Sequence, residues 1–303
     1  MVIFLQPRYE YLKKAFVNIP AKDFGSYETR RFANGEIHIS LNTKVNKKPC
    51  VIVVSINPPD ENLLALLLLA HTLKKEGAQK VAAILPYMAY SRHDKDEVAK
   101  SQAFSWLGKV FKSSGINKVI TIDIHSQESK GLFGVPVISV ASSPIFASEI
   151  KALKLSNATI VAPDEGAIKR CRLVAKEANI SRIAYFKKHR TASGVVHSKL
   201  YGKVTNQAII VDDMLDTGST LVSACYKLRE AGVVEIYIMV THGLFTGDEW
   251  KHLWKLGAKR VYCTDTIPLP KQVATKNIKV LSIMPILTDA LLNKEKGVIS
   301  WLS

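Results

Sequence analysis

Cysteine is sparse and dispersed. Cys50, Cys171, Cys225 and Cys263 are the only four, with no C-x-x-C pair and no histidine at a zinc-ligand spacing. A disulfide framework and a cysteine-built zinc site are thereby excluded, and the four read as small buried apolar residues of a reducing compartment, the cytoplasm being the simplest expectation. Long apolar runs are missing too. The most apolar stretch, 63–70, falls far below the roughly 18 residues of a transmembrane helix; it reads as a buried helix capped by Asp60. The start of the chain shows no charged segment leading into an apolar stretch with a cleavage site, so neither a signal peptide nor a membrane role is expected. Acid is the scarcer charge: 26 Asp and Glu against 42 Lys and Arg, a net +16. That excess suits a nucleic-acid surface or a protein that handles polyphosphates. With no basic tail and no nucleic-acid motif to gather the lysines, solvated helix faces account for most of them, and nucleic acid is not an expected partner.

What is present is a repeated unit: a helix ending in Gly-Ala or similar, a short polar turn, then a β-branched strand. It occurs at 63–85, 104–124, 167–186, 221–240 and 250–263. Glycine at a helix end followed by a buried strand is the αβ junction of a parallel sheet. The copies at 63–85 and 221–240 are alike enough to imply two similar halves, each an α/β doubly wound, mainly parallel sheet, and 303 residues suffice for two such domains. The break is expected near 141–155, giving domains 1–145 and 146–285, with a C-terminal helix at 286–303 packing back on the first.

One stretch organises the rest. Ile209-Ile210-Val211-Asp212-Asp213-Met214-Leu215-Asp216-Thr217-Gly218-Ser219-Thr220-Leu221 reads as an apolar strand, two acids, and a small-residue loop opening a helix. Asp216–Thr220 offers backbone N–H groups, the hydroxyls of Thr217 and Thr220 and the positive end of a helix, which together suit a phosphate. Asp212 and Asp213 repel phosphate. At the carboxyl end of a strand they suit sugar hydroxyls or Mg²⁺. A helix N-cap after a strand is the plainer reading, but two adjacent acids after an apolar run have no packing reason to be there.

This pattern resembles the ribose-5-phosphate loop of the type I phosphoribosyltransferase fold, shared by phosphoribosyltransferases and PRPP synthetases (ribose-phosphate diphosphokinases). Further segments resemble the PRPP synthetases in order and spacing from about residue 30 to 270. Phe32-Ala33-Asn34-Gly35-Glu36 reads as an Asn-Gly hairpin turn before the alternating strand 37–41. It is similar to the family's Phe-x-Asp-Gly-Glu, which contacts adenine of ATP from a neighbouring subunit; Asn34 replaces the Asp and can still accept a hydrogen bond. Pro86–Glu97 resembles the family's Pro-Tyr-x-x-Tyr-Ala-Arg-Gln-Asp, so that Arg92, His93 and Asp94 take ATP-binding positions, while Gln102–Trp106 departs from the family's mobile loop.

In 123–137, Asp-x-His is expected to put Asp123 and His125 on one side of a strand, a start for a hydrated Mg²⁺ site. The stretch is similar to a family signature, with Gly134 and Ile138 where the family has Asp. Val161–Ala167 looks like the family's Ser-Pro-Asp-x-Gly metal loop, placing Asp164. Lys187-Lys188-His189-Arg190, expected to follow a strand at 183–186, matches the family's Lys-x-Arg. Ser219 replaces a family glycine in the phosphate loop.

The resemblance implies transfer of the diphosphoryl group of ATP to ribose 5-phosphate with Mg²⁺, giving PRPP and AMP. Lys188, Arg190 and His125 would be catalytic. Phe32, Asn34, Gly35, Glu36, Arg92, His93 and Asp94 would hold ATP; Arg190, Asp212, Asp213 and Asp216–Thr220 would hold ribose 5-phosphate; His125, Asp164 and Asp123 would hold the metal. It also implies a homo-oligomer with a shared ATP site. A phosphoribosyltransferase, which needs no ATP site, and a catalytically silent regulatory homologue, suggested by the acids missing at 134 and 138, are the alternatives.

Overall fold

The computed structural model describes residues 1–19, 22–92, 102–125, 128–190 and 196–293, with the side chains of 128–129, 188–190 and 196–198 outside that description. The chain divides into two compact units, one of Met1–Val140 with the segment that begins at Met284, the other Ala141–Ile283.

The first unit is built from β1 (Val2–Leu5), β2 (Asp23–Phe24), β3 (Tyr27–Arg31), β4 (Ile37–Leu41), β5 (Cys50–Val53), α1 (Glu61–Lys75), β6 (Val81–Leu85), α2 (Ala103–Ser113), β7 (Lys118–Ile122) and β8 (Val137–Val140). Six of these strands form one parallel sheet in the order β2-β1-β5-β6-β7-β8. Every residue of β1, β5 and β6 is buried, as expected of parallel strands covered on both faces. β3 and β4 stand apart as an antiparallel hairpin. α1 turns Leu63, Leu66, Leu69, Ala70 and Leu73 inward at helical spacing. Asp60 sits at its N-cap position but makes no capping bond through its side chain; Oδ1 of its carboxylate accepts the Tyr90 hydroxyl at 2.5 Å instead. The cap expected of Asp60 is thus corrected.

The second unit comprises α3 (Ser143–Ala152), β9 (Thr159–Ala162), α4 (Ile168–Ala178), β10 (Ile183–Arg190), β11 (Val196–Tyr201), β12 (Gln207–Leu215), α5 (Ser219–Glu230), β13 (Glu235–Gly243), α6 (His252–Lys255), β14 (Ala258–Thr264) and β15 (Ile278–Leu281). The sheet runs β11-β10-β9-β12-β13-β14-β15, parallel except for the edge strand β11. Alternation along β12 splits the core in two. Ala208 and Ile210 pack with Leu221, Ala224, Leu228 and Leu253 of α5 and α6, whereas Ile209 and Val211 pack with Phe146, Ile150, Cys171 and Val174 of α3 and α4. Side chains two apart share a face, so helices cover both faces and the sheet is doubly wound.

Four αβ junctions carry a glycine at positive φ just past the helix, Gly77, Gly115, Gly232 and Gly257, and the junction after α4 uses left-handed Asn179. These are the C-cap residues that the repeated unit announces. Of the C-terminal helix expected at 286–303, the described part is α7 (Met284–Leu292), which packs on the 3-10 segment Pro7–Phe16 and on β8 in the first unit; 294–303 lie outside the described residues. All four cysteines are buried free thiols. Burial pushes Cys50 up to about 11 and Cys225 and Cys263 up to about 12. No helix among the described residues is long and apolar enough to cross a membrane.

Candidate active site

In the second unit the order of strands reverses between β9 and β12: the chain leaves β9 to one side, through β10 and β11, and returns on the other as β12. Open α/β sheets take their ligands at such a point, outside the carboxyl ends of the strands. Asp164 follows β9, and Asp212, Asp213 and Asp216–Thr220 occupy the end of β12 and the loop beyond it. These sequence-selected residues are brought together by the sheet.

β12 runs further than its apolar run. It continues through both acids to Leu215, because the backbone keeps pairing with β13 at Asp212↔Val240 and Met214↔His242. Asp213 is 4% exposed, and its backbone N–H donates to Asp212 Oδ1 at 2.9 Å. Arg170 of α4 places Nη1 3.7 Å from Asp212 Oδ1, with side chains 13% and 14% exposed. Burial pushes the Asp212 carboxyl well above the usual carboxylate range; the neighbouring Asp213 adds to the rise, Arg170 opposes it, and Asp164 adds a smaller push. Arg170 is a site residue that sequence reading missed. It lies among Lys169, Arg172 and Lys176 on a helix, where one more cation looks like a solvated face.

The loop itself is shaped by Gly218, at φ +95°. A Cβ there would meet the Cα and Cβ of Trp250 at 2.8 Å, so both conformation and space demand glycine. α5 begins at the next residue, and its first intrahelical bond runs from Val222 N–H to the Gly218 carbonyl at 2.8 Å. The N–H groups of Ser219, Thr220 and Leu221 therefore lie in the first turn, where helix N–H groups lack intrahelical acceptors, and no acid occupies that turn. Ser219 lies within α5 and is not among the residues at positive φ, so a side chain is accommodated where the family has glycine.

Asp164 has an extended backbone and caps the 3-10 turn Glu165–Ala167 by accepting the Ala167 N–H at Oδ1, 3.2 Å away. Nearby, Lys187 reaches Glu165 at 3.5 Å. Lys188 and Arg190 lie within β10, opposite Ser198 and Val196 of β11. The expectation that the basic cluster follows a strand ending at 186 is corrected, since pairing with β11 carries that strand to Arg190. Their side chains lie outside the described residues. His242, 3% exposed, bonds through Nδ1 to Thr266 Oγ1 at 3.0 Å, and Thr264 Oγ1 donates to the Thr241 carbonyl at 2.6 Å, a satisfied polar cluster bracing β13 and β14.

In the first unit the hairpin has the expected turn. Gly35 is at φ +92°, the Gly35 N–H donates to the Phe32 carbonyl at 2.8 Å, and Asn34 Oδ1 accepts the Glu36 N–H at 3.1 Å. Phe32 at the tip is 56% exposed, with the His38 ring 5.4 Å from its own. Arg92 is exposed; His93 and Asp94 lie outside the described residues.

The expectation that Asp123 and His125 share one side of a strand is corrected. β7 ends at Ile122 and Asp123 turns to φ +38°, which breaks the two-residue alternation; Asp123 is buried and His125 exposed. Gly134, which stands where the resemblance expects an acid, is itself at φ +73°. Among the described residues no three His, Cys, Asp or Glu side chains form a metal-holding group. Asp213 and Asp164 both push the Asp212 carboxyl up, a concentration of negative charge that a divalent cation would relieve, and Mg²⁺ needs only one or two carboxylates beside water and substrate phosphates.

Comparison with known proteins places these features in context. Residues 1–115 match the family described as the N-terminal domain of ribose phosphate pyrophosphokinase, and 195–299 match the phosphoribosyl synthetase-associated domain. A ribose-phosphate pyrophosphokinase of Haemophilus ducreyi is 34% identical over 278 residues, 88% of this chain and 87% of that protein. One from Campylobacter jejuni is 32% identical, covering 91% and 89%. The crystal structure of phosphoribosylpyrophosphate synthetase from Mycobacterium smegmatis has the same fold, with a TM-score of 0.86 over 98% of this chain and 99% of that one at 24% identity.

Proposed function

The chain belongs to the ribose-phosphate pyrophosphokinase family, and from that premise we propose how its residues transfer the diphosphoryl group of ATP to the anomeric hydroxyl of ribose 5-phosphate, giving PRPP and AMP. The observation that carries the sugar half is the loop after β12. A left-handed glycine turns the chain into α5, so that the first-turn N–H groups and the Thr217 and Thr220 hydroxyls receive the 5-phosphate while Asp212 and Asp213 take sugar hydroxyls. A carboxyl with high proton affinity, such as Asp212, is suited to exchanging hydrogen bonds with hydroxyls.

On the nucleotide side, Phe32 stacks on adenine, and Asn34, Gly35 and Glu36 present hydrogen-bonding groups from a turn that is already locked. Arg92, His93 and Asp94 complete the ATP contacts. Lys188 and Arg190 supply positive charge to the transferring group, the position at which fixed charge lowers a phosphoryl-transfer barrier most. His125 is assigned both to catalysis and to Mg²⁺. Asp164, and Asp212 with Asp213, are the groups offered to Mg²⁺, which when bound offsets charge on the phosphate oxygens; Asp123, buried beside a left-handed turn, is the weakest of the selected ligands. Self-association into a homo-oligomer that shares each ATP site, in a cytoplasmic setting matched by four buried thiols, completes the proposal.

The test is direct. Purified protein incubated with ATP, ribose 5-phosphate and Mg²⁺ is expected to form AMP and PRPP in equal amounts. Absence of both above background, across a range of Mg²⁺ and inorganic phosphate concentrations, would return the chain to the silent homologue.

A further inference from the structure

Two loops of the first unit leave adjacent strand ends: 54–60, which leads from β5 into α1, and 86–92, which follows β6. Their bases are fastened together twice. The Tyr87 N–H donates to Ser55 Oγ at 2.9 Å, and the Ile56 N–H donates to the Tyr87 carbonyl at 3.2 Å. Ser55 and Tyr87 are both buried. A third tie lies further out, where the Tyr90 hydroxyl donates to Asp60 Oδ1 at 2.5 Å, the length of a hydrogen bond to a charged oxygen.

Asp60 serves Tyr90 rather than its own helix for a backbone reason. An N-cap residue is normally extended, which brings its side chain over the first-turn N–H groups. Asp60 is already helical, at φ −62° and ψ −7°, and its carbonyl accepts the Leu64 N–H at 3.0 Å. The carboxylate thus stands on a rigid helix start. Tyr90, by contrast, is strained. Its φ of +66° is a left-handed conformation that a residue with a β-carbon adopts at a cost, and that lasts only where the surroundings impose it. Arg92 follows two residues later, exposed, at the end of the turn 89–92. The direction in which the backbone leaves Tyr90 therefore sets where Arg92 begins. The bond to Asp60, with burial and the carboxylate charge, raises the Tyr90 hydroxyl above its ordinary value, so it remains a donor across the neutral range.

We propose that Tyr90, clamped by Asp60, is a positioning residue for nucleotide binding: the pair holds the left-handed turn that presents Arg92 to the triphosphate of ATP. Tyr90 and Asp60 act through Arg92 rather than by contact with substrate, and this role rests on the assignment of Arg92 to ATP. A turn set before the nucleotide arrives lowers the ordering cost of binding.

The experiment measures, for each variant, the Kd of a non-hydrolysable ATP analogue with Mg²⁺ by calorimetry, and the KM for ribose 5-phosphate. Tyr90→Phe keeps the ring and removes the hydroxyl; Asp60→Ala removes its acceptor. Each is expected to weaken the analogue about tenfold, the loss of one hydrogen bond to a charged group, and to leave the KM for ribose 5-phosphate within about twofold. Asp60→Asn, which still offers a carbonyl oxygen, should keep most of the affinity. The double variant should bind no more weakly than either single one, because both remove the same bond. Arg92→Ala is the control and should weaken the analogue at least as much. Should Asp60→Ala fail to fold, Tyr90→Phe and Asp60→Asn still decide. An unchanged Kd in Tyr90→Phe, with Arg92→Ala impaired, overturns the positioning role and leaves the nucleotide assignment standing. An unchanged Kd in Arg92→Ala overturns both. Losses that add in the double variant, an equal rise in the KM for ribose 5-phosphate, or a lowered melting temperature with no change in Kd would assign the pair to loop stability alone.

Discussion

Arg170 Nη1 lies 3.7 Å from Asp212 Oδ1, joining the middle of α4 to the end of β12 in a setting where both side chains are about one-seventh exposed. Arg170 is the cation that opposes the rise in Asp212 proton affinity. Replacing it by methionine keeps the packing and removes the charge. The KM for ribose 5-phosphate is then expected to rise on the order of tenfold, about 1.4 kcal/mol, with the KM for ATP little altered. The acid limb of kcat/KM should also move to higher pH, since Asp212 holds its proton longer. A pH profile superimposable on wild type would assign Arg170 to packing alone.

Asp212 has a consequence for stability with a definite sign. Its folded proton affinity is raised above that of an unfolded carboxyl, so between the two values the native state binds more protons and stability falls as pH rises. Its contribution is fully present below the unfolded carboxylate value. Asp212→Asn removes that slope. Melting curves in phosphate-free buffer from about pH 4 to about pH 8 should therefore be flatter for Asp212→Asn, with a gain of a few degrees at the upper end. Parallel curves would show that Asp212 is ionised without penalty.

Neighbouring positions of the phosphate loop should respond unequally. Gly218→Ala forces a Cβ against the Trp250 backbone at φ +95°, and should cost about 2 kcal/mol or more in urea unfolding. Ser219→Gly, in the first turn of α5, should cost less than about 1 kcal/mol. It should leave the KM for ribose 5-phosphate within about twofold. A large gain in affinity from Ser219→Gly would show that the serine side chain obstructs the phosphate.

The exposed ring of Phe32 and the cation at Lys188 give a test of the shared site. Lys188→Ala should lower kcat by about 10² or more with little change in nucleotide affinity, because it acts mainly on the transition state. Phe32→Ala should weaken ATP binding. If each ATP site is built from two chains, mixing the two variants under conditions of subunit exchange creates some sites with both residues intact, and activity returns to a sizeable fraction of wild type. A mixture as inactive as its parts, with exchange shown by an independent label, would confine Phe32 to its own chain.

The sequence by itself determined what is local. Alternation over 37–41 and the Asn34-Gly35 pair specify a hairpin, glycines after helices specify αβ junctions, and an apolar run ending in acids and small residues specifies the β12–α5 loop, because these depend on backbone preferences within a few residues. Tertiary structure decided what depends on strand neighbours. Only sheet pairing puts β9 beside β12, so that Asp164 and Asp212 face the same strand ends although 48 residues separate them. Only packing of α4 on that sheet singles out Arg170 from a basic helix. Asp123 shows the reverse limit: the two-residue period predicts its direction only while the strand lasts, and a left-handed turn at that residue ends the strand for reasons no local pattern carries.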